Sequence, residues 1–248
     1  TQTHSTDVTP GTASRAISNY NYVARVNPND SIESRARFDV PLSVKASMSW
    51  EHAFFGDYKT TVSVYYNGRD GLPYSWTFGT DVNGDSINNV DLAYIPLAND
   101  PIVSYKAGTT AAQIQDFQAF IDSDPYLSSR RGQIAERNSS HQPWINQLDV
   151  GFQQELPGFF KGNKVVVRLD VYNFLNMVNK DWGQQDGVGF FGSRRLAYVS
   201  GVTNGKYVYD LGTAASPAWQ QFGVYDSYAN PSRVISRWQA LLTVRYQF

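Results

Sequence analysis

The sequence contains no cysteine, which excludes a disulfide framework, a thiol nucleophile and a cysteine-based zinc site. Its three histidines are far apart and do not form the His-Glu-x-x-His pattern of a helix-borne zinc hydrolase. No apolar run approaches the roughly 18 residues of a transmembrane helix, which excludes a helical membrane protein. Charged residues make up only 17% of the chain and the formal net charge is −1, so we expect no nucleic-acid partner.

Aromatic residues are abundant instead, at 15% of the chain, and polar and apolar residues alternate over long segments. In residues 232–248 the even positions are mostly apolar and the odd positions are mostly polar. This period of two predicts a strand. A tilted strand needs about 9–11 residues to cross a bilayer, and the segment is long enough for that. Four further segments repeat the pattern, namely 42–54, 58–67, 143–156 and 164–175.

These segments form two predicted hairpins with short turns at 55–57 and 157–163, whereas the connections at their other ends are long. Short turns on one side and long loops on the other are typical of outer-membrane barrels. Aromatic residues also gather near the predicted turns, where the interfacial girdles of such barrels lie. The sequence therefore predicts an all-β fold, an antiparallel transmembrane β-barrel with long extracellular loops.

The prediction divides the chain into six parts. They are an extracellular loop (1–41), a hairpin (42–78), a long extracellular loop (79–142), a second hairpin (143–175), a second long extracellular loop (176–231) and a final strand (232–248). Five strands are an odd number and too few to close a barrel. We therefore expect the chain to be the C-terminal portion of a larger barrel, although a weaker strand in 19–26 would change this count.

Three stretches resemble the Oar-like TonB-dependent receptors. The first is 55–96, which contains Phe55-Gly56-Asp57, TTVSVYYNGRDGLPYSW (60–76) and DVNGDSINNVDLAYIP (81–96). The second is VVVRLDVYNFLNMVN (165–179), and the third is the final WQALLTVRYQF (238–248). The resemblance implies a 22-stranded barrel with an N-terminal plug in the bacterial outer membrane. It also implies uptake of an extracellular ligand, whose identity is unknown, driven by TonB and the proton-motive force. Neither the plug nor a TonB box is present in this sequence, so we expect the TonB complex to bind a preceding region.

The resemblance also assigns a role to the last strand. By that resemblance the barrel assembly machinery recognises Trp238, Leu242, Val244, Tyr246 and Phe248 as an assembly signal, while the same side chains contact outer-membrane lipid. An unpaired strand edge does not persist in lipid, so the edge of this strand must be paired during insertion.

Asp81, Asn83, Asp85, Asn89 and Asp91 are the candidate metal ligands. Carboxylate and amide oxygens at alternating positions, with Gly84 permitting a tight bend, suit Ca²⁺. Compared with an EF-hand loop, Ser86 replaces the usual glycine and Leu92 replaces the bidentate glutamate. Loops rich in Asp and Asn also form without a metal, so both interpretations stay open. No other cofactor is indicated.

The predicted loops contain a short amphipathic helix at 109–122, the arginine pairs 130–131 and 194–195, and many aromatic residues in 176–231. We expect the helix to pack against its surroundings. The arginines suit anionic ligands or lipopolysaccharide phosphates, although paired surface arginines are more often solvated or ion-paired. Substrate specificity is expected in these loops.

No nucleophile elbow or established triad spacing occurs, so the sequence predicts no enzyme. Two other functions stay open. One is a complete smaller outer-membrane barrel acting as a porin or adhesin, and the other is a soluble carbohydrate-binding β-sandwich.

Overall fold

The computed structural model describes residues 4–5, 23–29, 32–188, 192–224 and 235–248. Strands hold 47% of the residues and helices 11%, and most strand pairs are antiparallel, which confirms the all-β class. Among the described residues, no helix is both long and apolar enough to span a bilayer. The chain divides into a long-strand unit (Leu42–Gly71, Pro143–Gly187 and Gly223–Phe248) and an insert unit (Thr1–Pro41, Leu72–Gln142 and Val188–Phe222).

The long-strand unit is built on one antiparallel sheet. Its strands are β3 (Ser43–Phe55), β4 (Tyr58–Arg69), β10 (Ile145–Pro157), β11 (Lys164–Tyr172) and β18 (Gln239–Gln247), in the order β18-β11-β10-β4-β3. The unit also contains helix α3 (Phe174–Val178) and the short pair β12 (Asp186–Gly187) and β17 (Gly223–Val224). Within the described residues β3 and β18 are the two edges, so the sheet is open and no closed barrel is formed.

Both hairpins of this sheet turn through a glycine with positive φ. Gly56 (φ +62°) lies between β3 and β4, and Gly162 (φ +94°) lies between β10 and β11. Side chains other than glycine are disfavoured there, so the turns are fixed locally. The hairpin predicted for 42–78 ends earlier than expected, because β4 stops at Arg69 and the segment from Leu72 belongs to the other unit.

The insert unit contains eleven described strands and two described helices. Its strands are β1 (His4–Ser5), β2 (Ser34–Arg35), β5 (Pro73–Phe78), β6 (Tyr94–Ile95), β7 (Val103–Tyr105), β8 (Gln133–Ile134), β9 (Ser140–His141), β13 (Ser193–Thr203), β14 (Lys206–Asp210), β15 (Gly212–Thr213) and β16 (Ser216–Pro217), and its helices are α1 (Ala111–Ser123) and α2 (Pro125–Ser129). Its main sheet has the order β7-β14-β13-β5-β9. Two of its pairings, β13 with β5 and β14 with β7, are parallel.

Helix α1 confirms the helix predicted for 109–122. Thr110 caps it, since its Oγ1 accepts from the backbone N–H of Gln113 (3.2 Å) while Gln113 Oε1 accepts from the N–H of Thr110 (2.9 Å). This reciprocal capping box satisfies two N–H groups that the helix itself leaves unpaired. Phe117 and Ile121, four residues apart and so on one face, are fully buried in the core.

The segments predicted as long loops therefore have a structure of their own. Parts of 79–142 and 176–231 come together around a hydrophobic core that includes Trp76, Phe117 and Leu196. The weak strand considered at 19–26 is described only from residue 23, where Arg25 forms a parallel bridge with Asp91. Residues 232–234, at the start of the predicted strand 232–248, also lie outside the described residues.

Candidate functional site

One face of the long-strand sheet is apolar from edge to edge. The strand register places these side chains opposite one another in a continuous row: Trp50, Val62, Phe152, Leu169 and Leu242. Directly opposite residues of an antiparallel pair lie on the same face. All of them except Val62 are at least 40% exposed. The face is therefore a broad apolar surface of a kind that water-soluble monomers seldom expose.

Aromatic side chains lie at the turn end of this face. Trp50 stacks on His52 with a centroid separation of 5.8 Å, and His52 meets the ring of Phe54 edge-on at 4.5 Å. Phe159, from the turn before β11, stacks on Tyr246 of β18 at 5.9 Å. His52 thus belongs to an aromatic group near the turn that follows β3.

A second aromatic group marks the end from which the long insertions leave. The Tyr66 hydroxyl and Trp144 Nε1 both donate to Asn146 Oδ1, at 2.8 and 3.1 Å. Trp238 immediately precedes β18 and Phe248 immediately follows it, so the strand has a ring at each end. Its nine residues span about 30 Å at about 3.3 Å per residue. This second group was not predicted from the sequence, where only the aromatic residues near the short turns stood out.

The opposite face of the same sheet is polar and charged. Its ion pairs are Lys59–Glu51 (2.6 Å), Lys164–Glu155 (3.0 Å) and Arg168–Asp170 (2.8 Å). A groove of about 350 Å³ lies over Gly151, where an added Cβ would lie only 2.5 Å from Ser63 Oγ. The two faces of the sheet therefore differ sharply in polarity.

The predicted assembly-signal residues fall on or beside β18. Leu242, Val244 and Tyr246 lie opposite apolar residues of β11, and Trp238 and Phe248 flank the strand. Leu242 and Val244 are each 65% exposed, and Phe248 is 98% exposed. The structure thus presents these side chains at a sheet edge, and their recognition by an assembly machinery stays a prediction.

The aspartate loop, residues 81–91 of the insert unit, brings together three of the five predicted metal ligands. One carboxylate oxygen from each of Asp81, Asp85 and Asp91 lies within 4.8 Å of the others. The Asp81 carboxylate accepts from the backbone N–H groups of Gly84 and Ser86, both at 2.7 Å. Gly84 and Ser86 adopt positive φ of +83° and +67°, so the loop closes tightly around Asp81. Ser86 holds this conformation although it lacks the freedom of the glycine usual in an EF-hand.

The asparagines of the loop have other partners. Asn83 donates its amide N–H to Asp91 Oδ1 (2.6 Å), so its nitrogen faces the cluster. Asn88 rather than Asn89 supplies an amide oxygen to the loop, accepting from the N–H of Asp81 at 2.8 Å. Asn89 adopts a positive φ of +65°. Burial, together with the neighbouring carboxylates, raises the pKa of Asp91. Calcium binding by these residues stays a prediction.

Arg25 is a partner of this loop that the sequence analysis missed. Its Nη2 and Nε donate to Asp85 Oδ2 at 2.7 and 3.2 Å, and both side chains are almost buried. Its backbone N–H donates to the carbonyl of Val90, and its carbonyl accepts from the N–H of Leu92. Burial acts to raise the pKa of Asp85, but hydrogen bonds from Arg25 and from the N–H of Ile87 lower it overall.

Comparison of the chain with protein-family models, with curated proteins and with solved structures finds no match.

The aromatic residues of the predicted second loop contribute to the core of the insert unit. Tyr209 is fully buried, and Trp219 packs between Phe117 and Phe120 with centroid separations of 5.7 and 5.6 Å. These rings stabilise the unit from within. Four other rings of that loop lie outside the described residues, at positions 190, 191, 225 and 228.

The arginine pairs singled out in the sequence are engaged inside the insert unit. Arg194 is buried, with its Cζ 3.9 Å from the ring centroid of Phe222 and 4.4 Å from that of Trp76. Its Nη1 donates to the Tyr74 hydroxyl (3.0 Å) and its Nε to the carbonyl of Gln220 (2.9 Å). The other three contact nearby side chains: Arg195 stacks on Tyr198, Arg130 pairs with Glu136, and Arg131 pairs with Asp122. The solvated or ion-paired alternative fits them better than an anion site.

The insert unit also contains a groove of about 610 Å³. Its walls come from three segments, 24–26, 32–35 and 134–139, with Leu92 and Tyr126 between them. Ile32 and Ile134 expose apolar surface, while Arg35 and Arg137 add polar groups. The size and mixed lining are those of small-molecule pockets.

Proposed function

We propose that this chain contributes membrane-spanning strands and an extracellular recognition unit to a TonB-dependent receptor of the bacterial outer membrane. The observation that carries the proposal is the apolar row from Trp50 to Leu242, which continues across all five long strands on one face only. In this proposal that face contacts lipid, and the charged face lines the interior of a barrel.

The dimensions of the sheet support a membrane role. A strand of about 30 Å tilted by about 40° covers about 23 Å along the bilayer normal, close to the roughly 25 Å apolar band of outer-membrane barrels. Tyr66 and Trp144 at one end, and Phe54 and Tyr246 at the other, match the aromatic girdles that flank that band. Lipid cannot satisfy an unpaired strand edge, so β3 and β18 need further strands to close the barrel.

A soluble β-sandwich is supported less well. Its core requires that a second sheet cover the apolar face of the first. All five long strands of the long-strand unit belong to one sheet, and Met48 and Leu242 on its apolar face are 67% and 65% exposed. Such exposure costs nothing in lipid but favours aggregation in water.

The insert unit supplies the recognition function in this proposal. Along the chain its segments are joined to those ends of β4 and β10 that lie opposite the short turns, and these are the extracellular strand ends in an outer-membrane barrel. It has a core of its own and a groove of about 610 Å³, which suits specific binding better than a flexible loop does. The receptor assignment itself rests on the resemblance of 55–96, 165–179 and 238–248 to Oar-like receptors.

Two experiments test the proposal. In the first, the protein is located by cell fractionation, and the purified chain is tested for a monodisperse state with and without detergent. We expect recovery with the outer membrane and dependence on detergent, and a monodisperse detergent-free sample would contradict the membrane role.

In the second experiment, depletion of compounds from the medium is compared between cells with and without the protein, each with an intact or collapsed proton-motive force. If the protein is a receptor, depletion requires both the protein and an intact proton-motive force. Depletion that does not depend on the proton-motive force indicates a porin.

A further inference from the structure

The three carboxylates of the aspartate loop have a cation beside them already. Asp81, Asp85 and Asp91 place like charges within 4.8 Å, an arrangement that needs a counter-charge nearby. Arg25 lies sixty residues away in sequence and donates two hydrogen bonds to one oxygen of Asp85. Its guanidinium is therefore a positive group in direct contact with the cluster.

Arg25 is held in place from outside the loop. Its backbone forms hydrogen bonds with Val90 (2.8 Å) and Leu92 (2.9 Å), on either side of Asp91. The Arg25 side chain is 8% exposed and that of Asp85 is 12% exposed, so solvent weakens their attraction little. Because guanidinium stays protonated in proteins, this counter-charge is present at every physiological pH.

We infer that Arg25 is the resident cation of the aspartate loop and balances the charge that a divalent ion balances in other loops of this pattern. The loop therefore keeps its fold without a metal, and Arg25 and Ca²⁺ are alternatives at Asp85. Arg25 also lines the 610 Å³ groove together with Ala24 and Val26, so the charge balance of the loop fixes one wall of that groove. The inference concerns the insert unit alone and does not depend on the proposed membrane function.

Hydrogen exchange of the loop amides in the full chain tests this inference. The N–H groups of Gly84, Ser86 and Ile87 donate to the carboxylates of the cluster and report whether the loop is closed. Exchange is measured in EDTA and in millimolar CaCl2 for the wild-type chain and for Arg25→Gln. The double variant Arg25→Gln with Asp85→Asn removes the charge pair as a whole. Lys206→Gln removes a positive charge from the exposed β13–β14 hairpin tip and serves as the control.

We expect the wild-type amides to exchange equally in EDTA and in calcium. In Arg25→Gln the same amides exchange at least about tenfold faster in EDTA. Loss of a hydrogen bond to a charged group changes an opening equilibrium by about this factor. Either added calcium or the Asp85→Asn change restores the wild-type rate, because each removes the unbalanced charge. Faster exchange of the wild-type amides in EDTA overturns the inference, as does an unchanged rate in Arg25→Gln. A faster rate in that variant that neither treatment restores also overturns it, because Arg25 then acts through packing and not charge.

Discussion

At the scale of single residues, a buried arginine organises the core of the insert unit. Arg194 lies between the rings of Trp76 and Phe222 and donates to Tyr74 and Gln220. Planar stacking and a fixed fork of donors are properties that guanidinium has and ammonium lacks. The contacts of Arg194 with Trp76, Phe222 and Tyr74 therefore require an arginine and would not form with a lysine.

Arg194→Lys is expected to lower the free energy of unfolding of the insert unit by about 1.5–3 kcal/mol, the range of hydrogen bonds to charged groups. Chemical denaturation followed by hydrogen exchange of β13 amides measures this loss. Lys206→Arg, at an exposed hairpin tip, is the matched control and should change nothing measurable. A loss below about 0.5 kcal/mol for Arg194→Lys, the size of a typical surface effect, would contradict the assignment.

Asp100 makes the stability of the insert unit dependent on acid pH. Burial acts to raise its pKa, but the N–H groups of Leu97 and Ile102 and the Tyr94 hydroxyl donate to it and lower the pKa below 3.8 overall. A carboxylate whose pKa is lower in the folded state than in the unfolded state stabilises the fold at pH values above 3.8. That stabilisation is lost as the pH falls through the folded-state pKa. Burial and the bond to Asp100 also raise the pKa of Tyr94 to about 12.

Asp100→Asn is therefore expected to reduce stability by about 1 kcal/mol at neutral pH, because its three donors lose a charged acceptor. The variant should also lose less stability than the wild type as the pH falls below 3.8. Urea denaturation across that pH range measures both effects, with the exposed Asp116→Asn as control. Parallel acid profiles for the wild type and Asp100→Asn would show that Asp100 has no such role.

Sequence reasoning found Asp81, Asp85 and Asp91, because their alternating spacing is itself the signal. It missed Arg25, which lies sixty residues from Asp85, and it placed Arg194 on the surface. The Tyr74 partner of Arg194 is 120 residues away. Nothing local distinguishes an arginine that folds onto a distant ring or carboxylate from one that is solvated. Such partners become visible only with the fold.

At the scale of elements, the long strands were the most predictable part of the chain. Their period of two depends only on the alternation of side chains along a strand, and the short turns depend on local glycines such as Gly56 and Gly162. The alternation also predicted which face of β18 is apolar. The register across five strands could not be predicted, and it is the register that joins the apolar positions into one surface.

Leu241 and Leu242 are neighbours on opposite faces of β18 and give a direct test of that surface. Leu242 lies opposite Leu169 on the apolar face, whereas Leu241 lies opposite Asp170 on the charged face. In the proposed membrane sheet Leu242→Lys should cost about 2–4 kcal/mol, as lysine does near the midplane of a barrel. Leu241→Lys should be tolerated. Folding titrations in lipid vesicles measure both, and equal costs for the two variants would argue against a lipid-facing side.

At the scale of the whole molecule, the segments predicted as loops form a unit with its own core. Its main sheet joins β5 to β13 and β7 to β14, pairs that are far apart in sequence and parallel. Short irregular segments carry no strong periodicity, so their assembly around Trp76 and Phe117 had no local signal. Helix α1 was the exception, because its helical spacing and threonine cap are local.

Phe248 provides a test of assembly in cells. It is 98% exposed beside the edge strand β18, where a machinery that pairs the edge can contact it. Phe248→Ala is expected to reduce the amount of protein recovered folded in the outer membrane several-fold, while refolding of the purified chain in detergent is unchanged. Equal losses in both settings would mean that Phe248 acts on stability and not on assembly.

The most direct test of the central claim uses the absence of cysteine. Single variants Met48→Cys and Ser49→Cys place a fluorescent label on adjacent residues of β3 that lie on the apolar and the polar face, with Met48 opposite Val64 and Ser49 opposite Ser63. The protein is reconstituted in vesicles that contain lipids with a quencher on the acyl chain. The proposed membrane sheet predicts strong quenching of the label at position 48 and little at position 49. Weak or equal quenching at both positions would contradict it.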